Sequence, residues 1–571
     1  MLATQKHSAF ARSFLVLVLM EFMAVFAWAS DQPPREVRDL IELGFEKLAQ
    51  VNITSVSKKE ENLLDAAAAV YVVTQEDIRR SGAASIPEAL RMVPGLQVAR
   101  IDANKWAITS RGFNGRYASK LLVLMDGRSI YTPLFAGVYW EVQDTLLEDV
   151  DRIEVIRGPG ATLWGANAVN GVINIITKKA GETQGGLATG GGGDEERGFG
   201  GLRYGGKLNG NASYRAYAKY FNRDSFVDES GKDGTDEWDQ YRGGFRVDWD
   251  SSQDDSLTFQ GDAYSGNAGQ TMTQPALAPP YSRTFDGDIN VSGENVLARW
   301  KRSFSSSSDM EIQLYYDNNE YGEEDVGRSD LDIFDLDFQH RFMLGERHQV
   351  IWGLGYRYIH GKFDSSFAVS FDPENRADHL FTAFLQDEIA IIHDRLHLIV
   401  GSKFEHNDYT GSEAQPNGRL VWTPDPRHTV WTAISRAVRT PSWSDHGIRI
   451  NFLAFPGFDG STVLSSLNGG RNFDSEELLA YELGYRLQPS DRLFFDLSTF
   501  YNVYNNLLTS EPGAPFYETT PAPAHLATPL RFGNKMDGET YGVEAAATWD
   551  VTEAWRLMAG YSWLNMDLNG A

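Results

Sequence analysis

The chain has 571 residues, no cysteine and a formal net charge of −26. This length is too great for one soluble core, so several units or one large barrel are expected. The negative charge argues against a nucleic-acid partner, and the lack of cysteine excludes disulfides and thiolate metal sites.

The N-terminus has the pattern of an export signal. Lys6 and Arg12 precede an apolar run at residues 14–20, and Ala27-Trp28-Ala29 forms a small-x-small cleavage site. We therefore predict a signal peptide over residues 1–29. No later run is apolar enough for a helical span, so a membrane-embedded fate would require a β-barrel, which the mean hydropathy of −0.36 allows.

A glycine-dense turn stands between two β-branched runs in residues 153–179. Gly160 and Gly165 have the spacing of a phosphate loop, but Ala166 and Asn167 stand where Lys and Ser or Thr are required. A strand follows the turn instead of a helix, which also excludes a dinucleotide fingerprint.

This segment is one of several motifs that occur in the order of a single family. The others are YVVTQEDIRRSG at 71–82, IPEALRMVPGL at 86–96, RGFN at 111–114 and LLVLMDGR at 121–128. Together, from about Val51 to Lys179, they resemble the plug domain of TonB-dependent outer-membrane receptors. The resemblance implies a mainly β fold, in which an α+β plug fills a transmembrane antiparallel β-barrel in the outer membrane of a Gram-negative cell.

The remainder of the chain predicts a barrel independently. Apolar and polar residues alternate at period two, as in Phe245-Arg246-Val247-Asp248-Trp249. Short connections alternate with long ones, the long ones at 223–237, 265–289, 320–329, 362–378, 440–477 and 506–537. Short turns on one side and long loops on the other are typical of outer-membrane barrels. We count roughly 17 strands, against about 22 in plugged transporters, and therefore expect C-terminal strands to be missing.

These patterns divide the chain into four parts. After the signal peptide we expect an N-terminal extension over residues 30–60, a plug over 61–180 and a barrel, truncated, over 181–571. Within the plug, Thr74 should cap a helix over 75–80 that stops at Gly82, and Ser85 should cap one over 86–92. Leu121–Met125 should form a buried strand.

The resemblance implies active import rather than catalysis. A scarce ligand, most simply a ferric siderophore or similar metal chelate, would bind from outside, and energised TonB would then remodel the plug. Cobalamin, haem or another ligand remains open, as does a barrel that signals or adheres without transport. Only residues 30–50 separate the signal peptide from the expected box, too few for a signalling domain. We expect no catalytic residues, no cofactor and no resident metal, and the acidic loop at 228–237 lacks calcium-loop spacing.

Three groups of residues are the candidate sites. The TonB box, which would pair with a TonB strand by β-augmentation, is expected at 51–57. Two plug arginines, Arg111 and Arg157, are expected to pair with barrel carboxylates, for which Asp387, Glu388, Glu405 and Glu482 are candidates. The box residues are Val51, Asn52, Ile53, Thr54, Ser55 and Val56, and the residues expected to contact the ligand are Arg116, Tyr117, Tyr131, Phe135, Tyr139 and Trp140.

Overall fold

A computed structural model describes residues 52–458, 460–552 and 554–570. The predicted signal peptide and Val51 lie outside the described residues. The chain forms a small N-terminal unit, which we call the plug, and one long, mainly antiparallel sheet.

The plug is an α+β unit of twelve helices and strands. Their bounds are β1 (Asn52–Ile53), β2 (Glu61–Asn62), β3 (Ala69–Thr74), α1 (Gln75–Ser81), α2 (Ile86–Leu90), β4 (Leu96–Arg100), β5 (Trp106–Ser110), β6 (Leu121–Met125), β7 (Arg128–Ser129), β8 (Val150–Arg157), α3 (Ala161–Trp164) and β9 (Gly171–Thr177). Short 3-10 turns occur at Leu63–Asp65, Trp140–Val142, Leu147–Asp149 and Ala180–Glu182.

Side-chain capping begins the two plug helices where the sequence predicts. The Thr74 side chain accepts from the Asp77 amide, Asp77 reciprocates, and Gly82 ends α1 in the left-handed conformation. Ser85 caps α2, which ends at Leu90, two residues earlier than predicted. The central sheet has the order β3-β8-β9-β6-β7 and is apolar on both faces. The predicted strand at Leu121–Met125 is confirmed as β6.

The second unit is a series of 21 strands in chain order, from β10 to β30. Their bounds are β10 (Gly185–Gly191), β11 (Gly198–Lys207), β12 (Ala212–Arg223), β13 (Trp238–Asp250), β14 (Asp255–Pro275), β15 (Ser282–Ser305), β16 (Ser308–Glu323), β17 (Gly327–Leu344), β18 (His348–Ser365), β19 (Val369–Phe371), β20 (Asn375–Ile392), β21 (Leu396–Asn407), β22 (Gly411–Asp425), β23 (His428–Arg439), β24 (Ile448–Pro456), β25 (Thr462–Asn468), β26 (Glu476–Ser490), β27 (Leu493–Pro512), β28 (Phe516–Glu518), β29 (His525–Thr552) and β30 (Trp555–Gly570). One further helix, α4, spans Trp443–Gly447.

Four of these strands, β19, β24, β25 and β28, lie in the long connections, and the other seventeen form the wall. Among the described residues, the end strands β10 and β30 are not paired with each other. Short turns join wall strands where the sequence predicts short connections, as at residues 251–254 and 345–347. Several predicted long loops are wrong in extent, because their strands continue: β14 runs to Pro275 and β15 begins at Ser282. Hydrogen bonds between neighbouring strands stabilise these continuations of the strands, and such bonds do not require an apolar face.

The wall separates two environments. Large apolar side chains such as Leu314, Phe334, Leu354 and Phe381 are exposed on its outer face. Charged side chains of the other face, such as Glu482 and Arg486, contact the plug and are buried there. In the described part of the chain, no helix is long and apolar enough to cross a membrane.

Candidate functional site

The expected box is folded into the lumen against the plug. β1 pairs with β2, so that Asn52 lies opposite Asn62 and Ile53 opposite Glu61. The Ile53 side chain is fully buried in the plug's second apolar cluster, together with Val56. Among the described residues of the expected box, Asn52 and Ile53 are in a strand and residues 54–57 are not.

Three plug side chains hold the residues that follow β1. The Glu154 carboxylate accepts hydrogen bonds from the Thr54 amide (3.0 Å) and the Ser55 amide (2.8 Å). The Trp164 indole donates to the Ser55 carbonyl (2.7 Å), and the Asn174 amide donates to the Ser55 hydroxyl (3.0 Å). Every polar group of Ser55 therefore has a partner, and its backbone is not free to pair with another chain.

Two lysines then fasten the segment to the wall. Lys58 lies 3.4 Å from the Asp337 carboxylate and above the rings of Trp164 and Phe384. Lys59 contacts Glu388 at 2.5 Å. Glu388 lies four residues before the end of β20, Asp337 lies seven residues before the end of β17, and a short turn follows each strand, so the box is held in the half of the lumen toward the short turns.

Glu61, the partner of Ile53 in the hairpin, is a buried carboxyl whose Oε1 has no hydrogen-bond partner among the described residues. Burial raises its pKa from 4.5 to about 7, although Lys59 and a Ser57 hydrogen bond act in the opposite direction, while Glu388 and Asp65 add to the rise. The neutral form is therefore the one that the folded hairpin favours.

This shift predicts a pH dependence of the hairpin. Below pH 4.5 Glu61 is neutral in both the held and the released segment, so the stabilisation is complete; it is lost as pH rises to about 7. We expect a Val56→Cys thiol to be labelled faster as pH rises through this window, when each rate is divided by that of the unfolded chain. Glu61→Gln should remove the dependence; an unchanged profile in Glu61→Gln would contradict it.

A cluster of buried ion pairs joins the middle of the plug to the wall. Arg111 contacts Glu482 (2.8 Å) and Glu544 (3.2 Å), and all three side chains are at most 4% exposed. Arg157 lies 3.3 Å from Glu544 and 3.7 Å from Asp496, and donates to the Pro94 carbonyl. Of the four carboxylates that the sequence offered as partners, only Glu482 is in the cluster.

The glycine after Arg157 is required by this cluster. Gly158 has a φ of +106°, and a Cβ there would lie 2.6 Å from the Arg111 guanidinium and overlap the Glu482 carboxylate. In the sequence Arg157-Gly158-Pro159, the arginine supplies a charge to the cluster, and the glycine lets the backbone come close to Arg111 and Glu482.

Two wall arginines that the sequence did not indicate hold the plug by its backbone. Arg486 donates to the carbonyls of Ala66 and Ala68. Arg419 donates to the carbonyls of Ala67 (3.1 Å) and Pro159 (3.2 Å). The alanine run before β3 exposes its carbonyls to these arginines, and such contacts leave no side-chain pattern in the sequence.

At the opposite end of the plug an aromatic surface faces the long connections. Tyr117, which is 53% exposed, packs edge-on against Phe135, Phe135 packs against Tyr139, and Tyr139 stacks on wall residue Tyr321 with centroids 4.0 Å apart. Arg116 donates to the Tyr321 hydroxyl (3.1 Å). We call these five residues the apical surface.

Two residues predicted to contact the ligand are not part of this surface. Tyr131 and Trp140 are buried in the two plug clusters, and Tyr131 donates to the Ser119 carbonyl. Tyr321 was missed because nothing in its strand sequence distinguishes it from other wall aromatics. No group of acidic and histidine side chains in the described ranges is arranged to hold a metal ion.

The comparisons with known proteins cover both units. Residues 62–172 match the family model described as TonB-dependent receptor plug domain, and residues 183–570 match the model described as TonB dependent receptor-like, beta-barrel. The chain belongs to the TonB-dependent receptor family. It is therefore an outer-membrane protein with a plug and a β-barrel, of a family of transport receptors and not enzymes.

Two relatives and one solved structure show what this chain is similar to. The chain is 24% identical over 552 residues to an iron-regulated outer membrane virulence protein of Vibrio cholerae, covering 91% of this chain and 78% of the relative. It is 23% identical to the ferric enterobactin receptor of Pseudomonas aeruginosa, covering 77% and 68%. The crystal structure of the siderophore receptor PirA from Acinetobacter baumannii has a TM-score of 0.69 at 17% identity, covering 87% of this chain and 80% of that one, which shows the shared fold.

Proposed function

We propose that this receptor imports a metal chelate, most simply a ferric siderophore, by TonB-driven remodelling of its plug. The observation that carries the proposal is the segment at residues 52–57. It is extended at β1, is held by hydrogen bonds to plug side chains and by burial of Ile53 and Val56, and is followed by two lysines that contact the wall, Lys59 toward the end of the lumen where a periplasmic protein would reach it. The names of the iron-regulated and ferric enterobactin relatives support the ligand class.

Cobalamin is the second candidate ligand. Over 133 residues, 23% of this chain, the sequence is 32% identical to the vitamin B12 transporter BtuB of Vibrio cholerae. This likeness spans only 21% of that transporter.

The deciding experiment is a growth panel on single nutrient sources. A deletion strain should fail to grow on one ferric siderophore, supplied at limiting concentration, while using other iron sources normally. Failure on cobalamin alone would select the second candidate. Normal growth on every iron and cobalt source would contradict import and favour an adhesion or signalling role.

The apical surface should bind the nutrient that this panel identifies. Because exposed aromatic anchors contribute a large share of binding free energy, Tyr117→Ala should weaken surface binding by about tenfold or more. Binding of the labelled nutrient to whole cells at low temperature measures this. Trp555→Ala, which removes an exposed aromatic beside a short turn at the opposite end, is the matched control and should bind normally. Equal affinity of both variants would place the ligand elsewhere.

A further inference from the structure

The turn after α3 lies between the box and the largest long connection. At one side, the Trp164 indole donates to the Ser55 carbonyl at 2.7 Å. At the other, the Asn167 amide donates to the Val438 carbonyl (2.8 Å), and the Asn167 side chain accepts from the Thr440 amide (3.2 Å). Three positions of the chain thus separate a contact with the box from a contact with the start of the connection at 440–475.

The turn is bonded to the wall on either side of Gly165. Thr162 donates to the Gln415 carbonyl (3.1 Å), and the Ala166 amide donates to the Glu405 carboxylate (2.8 Å). Gly165 and Asn167 have φ of +90° and +76°, conformations that glycine and asparagine tolerate. A displacement at Asn167 therefore has few ways to be absorbed before it reaches Trp164.

The connection at 440–475 is built to respond to a ligand at the mouth of the barrel. Its helix α4 donates the amides of Trp443 and Ser444 to the carbonyls of Pro133 and Leu134, in the plug loop that carries Phe135. Beyond α4, β24 pairs with β25, and β25 pairs in parallel with the upper part of β29. A ligand that contacts the apical surface would thus also lie close to this connection, which contacts the turn at Asn167.

We propose that the turn at residues 164–167 is the link through which the connection at 440–475 controls whether the box is held or released. Movement of the connection breaks the Thr440–Asn167 contact, the turn shifts, and the Ser55 carbonyl loses its indole donor. The segment is then held by one contact fewer, with Glu154, Asn174 and the burial of Ile53 and Val56 remaining, and is released more often to a partner strand. Trp164 and Asn167 are positioning residues in this account, which rests on the proposed function for the identity of that partner.

The test uses the natural absence of cysteine in the chain. In isolated outer membranes, a Val56→Cys reporter, 8% exposed while the box is held, should react slowly with a bulky maleimide. Trp164→Phe removes the donor and keeps the ring, and Asn167→Gly removes the acceptor and keeps the backbone conformation. Each should raise the labelling rate roughly three- to tenfold, the range for one lost hydrogen bond. The double variant should match the faster single variant, because both break one link.

Two controls separate this effect from general loosening. Asn114→Gly alters an exposed apical asparagine and should leave the rate unchanged. A reporter at Ala89, in the other plug cluster, should stay slow in every variant. The link is overturned if Asn167→Gly labels at the parent rate, if the two single effects multiply in the double variant, or if the Ala89 reporter accelerates equally.

Failure of the proposed function would appear differently. The purified periplasmic domain of TonB should bind the Trp164→Phe variant more tightly than the parent. If labelling behaves as expected and this domain binds neither protein, the link stands and the proposed partner is wrong.

Discussion

Replacement of Arg111 with alanine is expected to loosen the plug while leaving the barrel intact. The variant leaves Glu482 and Glu544 buried with one positive partner fewer, in a cluster where Arg111, Arg157 and Arg486 balance three carboxylates. Breaking a buried pair costs about 3–5 kcal/mol. Because the wall strands keep their ladders, we expect the loss as plug unfolding at lower denaturant concentration and as higher permeability to large antibiotics.

Companion variants assign this loss to the charge. Arg111→Lys should recover only part of it, since an ammonium cannot bridge two carboxylates as a planar fork does. Arg157→Ala should cost less, because its contacts with Glu544 and Asp496 are longer. Arg79→Ala removes an exposed pair with Glu76 and should cost about 0–1 kcal/mol. Equal plug stability in Arg111→Ala and Arg79→Ala would contradict the role of the cluster.

Ile53→Pro is expected to abolish uptake without affecting binding at the cell surface. Proline removes a backbone donor and cannot take part in a strand pair, either with β2 or with a partner chain. Ile53 is also fully buried, so the box should be released from the plug yet unable to pair with TonB. Accumulation of the labelled nutrient should fall to background, whereas its binding at low temperature should stay at the wild-type level.

Ile53→Val is the matched control for this variant. It retains the amide, the β-branched shape and most of the buried volume, so uptake should remain close to wild type. If Ile53→Pro accumulates nutrient normally, residues 52–57 are not the segment that TonB engages.

Local signals in the sequence predicted the local structure. The Thr74 and Ser85 caps, Gly82 and the apolar run of β6 each act within a few residues, and the structure confirms them. The strand alternation and the short turns of the wall have the same origin. Strand length above the membrane was underestimated, because polar strands with paired neighbours have no periodic apolar face.

The residues that hold the box could not be found in this way. Glu154 lies 99 positions from Ser55, and Trp164 lies 109 positions from it, so their meeting depends on the complete sheet. Glu154 did carry a signal: it is a carboxylate between Ile153 and Val155 in a run that is buried on both faces, where a charge requires a partner. Arg419 and Arg486 carried none, because the plug groups that they contact are backbone carbonyls.

The most direct test of the account compares accumulation of the identified nutrient in otherwise identical cells with and without TonB. We predict that surface binding is equal in the two strains and that accumulation inside the outer membrane falls to background without TonB. Accumulation that continues at the wild-type rate in cells lacking TonB would contradict energised import by this receptor.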